Sequence, residues 1–173
     1  MKIEVAEVPS PIGDAVVACL EDSVVALRFR EGDAGILPLL RRRFEVFTTG
    51  DGPHAAAIAV RLRGYFAGDL HALDGITVDT GGTPFQRAVW AQLRRIPPGQ
   101  TASYREIATA IGAPSATRAV GAANGANPVG IIVPCHRVIG ANGTLTGYGG
   151  GLDRKRWLLE HEGALFTAER TPP

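Results

Sequence analysis

"SYREIATAIGAPSATRAVGAANGAN", residues 103–127, decides the architecture of the second half of this chain. Ser103 and Glu106 have the spacing of a capping box, in which hydroxyl and carboxylate each satisfy a backbone N–H at a helix start. The pattern predicts a helix over 103–112. Gly112-Ala113-Pro114 reads as a tight turn, and Ser115 as the cap of another helix over 116–127, stopped by Asn127-Pro128. Two helices joined by a short glycine-containing turn form the helix-turn-helix pattern. The stretch before it, TPFQRAVWAQLRRIPPG (83–99), repeats the device: Thr83 caps, Pro84 suits the first helical position, and Gln86 completes the box. Phe85, Val89, Trp90, Leu93 and Ile96 make one apolar stripe, and Pro97-Pro98-Gly99 ends the helix.

The helix over 116–127 has an unusual composition. Ala119, Gly121, Ala122, Ala123, Gly125 and Ala126 are all small. Two glycines inside a helix cost roughly 1 kcal/mol each relative to alanine. A base-reading helix carries Arg, Asn or Gln along its outer face, and this one offers Arg118 and Asn124. Stripped of side chains, it suits close approach to another backbone. That backbone is either DNA, met with little sequence readout, or a neighbouring helix of the same protein.

Outward from this segment the chain changes character at Gly81-Gly82, which reads as a linker. Before it, residues 2–8 alternate weakly, and GDAVVACLE (13–21) and SVVALRFR (23–30) are rich in β-branched residues and meet at Glu21-Asp22 as a hairpin. AGILPLLRRRF (34–44) and HAAAIAVRLRGYFAG (54–68) read as helices, GITVDT (75–80) as a strand, and the Arg41–Arg43 run as a solvated face. The expected fold class is α+β. A small N-terminal α/β domain (1–80) with a short antiparallel sheet precedes a mostly helical domain (83–165) and a tail (166–173). Eight basic and twelve acidic residues lie before Gly82, ten and five from Gly82 on, so the second half suits a polyanion. No apolar run reaches the ~18 residues that span a membrane, and the N-terminus lacks the apolar core of a signal peptide. A cytosolic protein is expected, with Cys19 and Cys135 as free thiols and no thiolate-rich zinc site.

The chemistry concentrates in IIVPCHRVIG (131–140), which reads as a buried strand ending at Pro134 with Cys135, His136 and Arg137 at its tip. A thiolate is the nucleophile, and an adjacent base makes it available near neutral pH. His136 supplies a base; neighbours in sequence rarely point the same way, so a water bridges them in this reading. Glu162 falls in the last turn of a helix over 152–163, where a carboxylate opposes the helix dipole and needs a local partner. A Glu-His-water-Cys relay orients the imidazole as in hydrolase triads. A buried structural cysteine beside a surface histidine, and a Cys-His-Glu hydrolase, remain open on these residues alone.

Five strings in order, PFQRAVW, SYREIA, RAVGAANGANP, IIVPCHRVIG and GYGGGLDRKRWLLEHEG, closely resemble the C-terminal domain of the O6-alkylguanine-DNA alkyltransferases. The resemblance covers Thr83 to about Ala164, and in the first half only SPIG (10–13) and the strand-helix order match. It implies an RNase H-like N-terminal domain and a repair protein that moves the alkyl group of O6-alkylguanine, and of O4-alkylthymine, from double-stranded DNA to its own cysteine. It implies a single turnover, minor-groove binding, nucleotide flipping, and no cofactor or metal; for the oligomeric state, which the sequence does not give, a monomer is the simplest expectation. By resemblance Cys135 is the acceptor, His136 its water-mediated base, Glu162 the partner of His136, Asn127 a turn-stabilising residue beneath the site, and Tyr104 the donor of a proton to the guanine ring. Arg118 resembles the finger that fills the gap left by the flipped nucleotide, with Ser103, Ala119, Asn124 and Ala126 also on the DNA side. Tyr148, Gly149, Pro128 and Val138 resemble the substrate pocket, the carbonyls of Cys135 and Val138 accepting from the guanine amino group. Many relatives have Ser or Ala where Gly149 stands. A zinc cluster like that of some relatives' N-domains is not evident from Cys19, His54 and His71. Alkyltransferase-like proteins, which bind alkylated DNA without the cysteine, are the alternative.

Overall fold

The computed structural model describes residues 1–32 and 35–167. The start of the helix expected from residue 34, and most of the 166–173 tail, lie outside the described residues. The chain is α+β and forms two compact units: Met1–Gly81 with Pro128–Ile132, and Gly82–Asn127 with Val133 onward.

In the first unit β1 (Lys2–Val8), β2 (Ala15–Leu20), β3 (Ser23–Phe29) and β4 (Thr48–Gly50) form a sheet in the order β3-β2-β1-β4. β1, β2 and β3 are antiparallel, and the β2–β3 hairpin turns at Glu21, whose φ is 53°. The sheet is mixed rather than antiparallel, because the short β4 runs parallel to β1. Its sequence, TTG, is too short to carry an alternation signal. Val16 and Ala18 of β2 join Ile3, Val25, Ala26, Ile36 and Leu40 in one apolar cluster. Val17 and Cys19 point to the opposite face by the two-residue period and are equally buried. Burial on both faces explains the unbroken apolar run of β2.

The helix expected over 34–44 is only α1, Leu37–Arg41. Arg43 is not part of a solvated face; its guanidinium is half-buried and pairs with the Asp79 carboxylate and carbonyl. Arg41 and Arg42 are exposed as expected. Residues 75–80 are not a regular strand. Val24 bonds Thr77 and Asp79 through its N–H and C=O, giving one parallel bridge at Val78. α2 (Pro53–Phe66) packs on β1 and β2 through Ala55, Ala59, Leu62 and Tyr65. Its N-cap, Gly52, has no side chain, and the Glu4 carboxylate accepts the N–H groups of His54 and Ala55 instead. A Cβ on Gly52 would lie 2.0 Å from the Glu4 carboxyl carbon, so this capping arrangement requires glycine.

The second unit is mostly helical. α3 (Pro84–Leu93) and α4 (Tyr104–Ala110) both begin with the expected capping boxes, Thr83/Gln86 and Ser103/Glu106. α5 spans Thr117–Gly125 and starts from Ala116, so Ser115 does not cap it. Trp90 Nε1–H donates to the Ala123 carbonyl at 2.8 Å, occupying an acceptor in the last turn of α5. β5 (Ala102–Ser103) and β6 (Val138–Ile139) form a two-stranded parallel pair, and α6 spans Leu152–His161. No helix among the described residues is long and apolar enough to cross a membrane.

Candidate active site

The run Ile131–Pro134 is not a strand. Ile131 has a φ of 67°, and the chain then passes through close turns, with Ile132 N–H donating to Gly130 and Cys135 N–H to Val133, both at 2.8 Å. The run is apolar because it is buried, not because it is extended. The tip is a single 3-10 turn, Cys135–Arg137, from which β6 continues directly. Asn127 Nδ2 holds the entrance to this turn through the Val133 carbonyl at 2.8 Å.

His136 and Glu162 meet inside the second unit, Nε2 to Oε1 at 2.8 Å, with both side chains fully buried. A carboxylate only accepts, so Nε2 carries the hydrogen and Nδ1 presents a lone pair. Nδ1 is buried and has no hydrogen-bond partner among the described residues. Arg137, the third polar residue of the turn, grips the same carboxylate in a fork: Nε to Oε2 at 2.9 Å and Nη2 to Oε1 at 2.8 Å. Its Nη1 donates to the Ile96 carbonyl at 2.6 Å. Arg137 thus ties the last turns around α3 and α6 to the Cys135 turn and supplies Glu162 with a permanent counter-charge.

Burial alone would raise the Glu162 carboxyl. The charges of His136 and Arg137 and their hydrogen bonds outweigh it and hold the group well below the usual carboxylate range. The His136 hydrogen bond and Arg137 keep that direction even with a neutral imidazole, and burial pushes the His136 imidazole below its ordinary value despite the attraction of Glu162. The pair at neutral pH is therefore an ionised carboxylate and a neutral imidazole, the state in which a histidine takes up a proton.

A model of the 6-O-methylguanine DNA methyltransferase DNA-binding domain matches residues 84–164. A methylated-DNA–protein-cysteine methyltransferase of Shigella flexneri is 47% identical over 163 residues, covering 92% of this chain and 95% of the relative. One from Mycolicibacterium paratuberculosis is 50% identical over 163 residues, covering 92% of each. The chain belongs to the methylated-DNA–protein-cysteine methyltransferase family. The solved O6-methylguanine methyltransferase of Mycobacterium tuberculosis superposes with a TM-score of 0.79 at 45% identity, covering 93% of both chains. The OGT of the same organism, solved in complex with DNA, gives 0.79 at 44% identity, covering 94% of this chain and 93% of that one.

The fold of this methyltransferase family member places a fully buried lysine near the cysteine. Lys155 donates from Nζ to the carbonyls of Val138 at 2.6 Å, Thr146 at 2.7 Å and Gly147 at 3.5 Å. Burial pulls its pKa down to about 8, with attraction to Cys135 opposing the shift. That attraction is mutual, so the ammonium favours negative charge on the sulphur. Sequence reading passed Lys155 over. The available signal was its place on the buried stripe of α6, at i, i+3, i+4 and i+7 with Leu158, Leu159 and Glu162.

Most of the other residues singled out from the sequence lie around this turn or on α5. Tyr104 opens α4, and its hydroxyl bonds Thr146 at 3.0 Å. Ser103 caps α4 while its hydroxyl keeps a proton to donate. Arg118, Ala119, Ala122, Gly125 and Ala126 are exposed along α5, while Val120 and Ala123 face inward. Asn124 is a correction: it is 4% exposed and donates to the Cys135 carbonyl at 3.3 Å, so it supports the turn and does not belong to the outer face. The Cys135 carbonyl also accepts from Val138 N–H. Tyr148 and Gly149 lie in the loop before α6, with Tyr148 half-buried and Gly149 exposed. Pro128 runs with the first unit, where its carbonyl accepts from Leu27 N–H at 2.9 Å. Cys19 is buried in β2, and burial, with the Glu4 charge, raises its thiol to about 11, which keeps it inert. His54 pairs with Glu4 and His71 with Asp74.

Proposed function

We propose that Cys135 accepts, once per protein molecule, the alkyl group of O6-alkylguanine or O4-alkylthymine in duplex DNA. The observation that carries this reading is the buried Glu162–His136 pair beside Cys135, with the Nδ1 lone pair left over as a base. His136 takes the thiol proton through a bridging water, and the Lys155 ammonium favours the resulting thiolate. The sulphur attacks the alkyl carbon in line, guanine departs from it through O6, and Tyr104 gives the ring a proton. The product thioether has no leaving group that His136 or Glu162 could activate, so the protein is consumed.

The target atom lies inside the duplex, so the nucleotide must be extruded at a cost of a few kcal/mol. Residues 83–165 carry this step. The exposed small residues of α5 let the helix sit deep in the minor groove, and Arg118 fills the vacated stack. Tyr148, Gly149 and the Val138 carbonyl surround the flipped base. The protein works as a monomer, in the cytosol where its thiols stay reduced.

The test is the stoichiometry on duplex DNA carrying O6-methylguanine in excess. Demethylation is expected to stop at one equivalent per protein. Continued turnover would favour a Cys-His-Glu hydrolase. Tight binding without loss of the methyl group would favour a non-catalytic binding protein.

A further inference from the structure

Thr146 belongs to no part of the mechanism derived above, yet its side chain meets the Tyr104 hydroxyl. Its hydroxyl lies 3.0 Å from Tyr104 Oη. Its backbone is held from both sides. The Thr146 carbonyl accepts from the buried Lys155 at 2.7 Å. Leu145, one residue earlier, is buried against Ile139, Leu159 and Ala164. The loop before it is closed by Gly140 N–H to Thr144 O at 2.9 Å and by the Asn142 carboxamide bonding Thr144. An exposed threonine side chain is thus delivered to Tyr104 by a fixed backbone.

We propose that Thr146 is a positioning residue for the transfer, donating its hydroxyl hydrogen to Tyr104 Oη so that the phenol proton is directed to the guanine ring. The inference rests on the proposed role of Tyr104 as proton donor. Each of the two hydroxyls has one hydrogen. With Thr146 as donor, Oη acts as acceptor on that side, and its own O–H rotor is left to point at the substrate. In the transfer the sulphur lone pair forms the S–C bond, and the electron pair of the C–O6 bond passes to guanine. The Tyr104 proton moves to N3, the ring nitrogen on the minor-groove edge. Negative charge gathers on Oη as that proton leaves. A donor already aimed at the atom stabilises it without reorganisation. Solvent then returns a proton to the phenolate.

The experiment compares single-turnover rates on two duplexes, one with O6-methylguanine and one with its 3-deaza analogue, in which a C–H replaces N3. The wild-type ratio of the two rates measures the benefit of protonation. Tyr104→Phe should collapse that ratio. Thr146→Val should slow the O6-methylguanine reaction by about tenfold while the 3-deaza rate holds, and Thr146→Ser should restore the wild-type ratio. An equal loss on both duplexes, or no loss, in Thr146→Val would overturn the role of Thr146 while Tyr104 stands. A wild-type ratio in Tyr104→Phe would overturn the donor reading, and the role of Thr146 with it.

Discussion

Replacing Glu162 by glutamine is expected to slow alkyl transfer by on the order of a hundredfold and to destabilise the protein by about 3 kcal/mol. Both effects come from one carboxylate. Glu162 fixes the hydrogen of His136 on Nε2, at 2.8 Å. An amide can donate as well as accept. It permits the opposite tautomer, in which Nδ1 carries the hydrogen and no longer serves as a base. Arg137, bonded to Glu162 through two of its nitrogens, would keep its charge in a buried site without the counter-charge. Transfer rates measured well below the melting temperature separate the two effects. A variant that is less stable but transfers at the wild-type rate would remove His136 orientation from the account.

The same carboxylate sets an acid limb to stability. Its folded pKa lies below the ordinary 4.5, so its contribution is complete above that value and is lost as pH falls through the folded one. Below about pH 4.5, denaturant midpoints of the wild type should fall more steeply than those of Glu162→Gln.

Arg118→Ala is expected to cost roughly a hundredfold in the rate on duplex DNA, and little on free O6-benzylguanine. Arg118 is exposed in the first turn of α5, next to a surface of alanine and glycine that offers no other large side chain to occupy a gap in the stack. Extruding a nucleotide costs a few kcal/mol, and a side chain in the gap offsets part of it. The free base needs no extrusion, so the loss should vanish there. An equal loss on both substrates would place Arg118 in the chemical step rather than in flipping.

Local rules made much of this protein legible in its sequence. The capping boxes at Thr83 and Ser103 depend on residues three apart, and both form as read. The Glu21-Asp22 hairpin is equally local. The errors arose where tertiary burial imitates a local signal. Ile131–Pro134 is apolar like a strand but is packed as turns, because burial rather than pairing selected its side chains. Asn124 has the composition of a base reader, yet its position on α5 turns it inward to the Cys135 carbonyl. β4 and the Arg43–Asp79 pair depend on contacts across some forty residues, and no window of sequence contains both partners. At the site, the need of Glu162 for a partner was readable from its place against the helix dipole. That Arg137 is a second partner, and that Lys155 stands behind the loop, followed only from where the chain brings α6.

Transfer to Cys135 is tested most directly by the mass of its peptide after incubation with duplex DNA containing O6-methylguanine. A gain of one CH2 unit is expected on Cys135, none on the buried Cys19, and no gain anywhere in Cys135→Ser. An unmodified Cys135 in protein that has bound the lesion, or a methyl group carried by another residue, would contradict it.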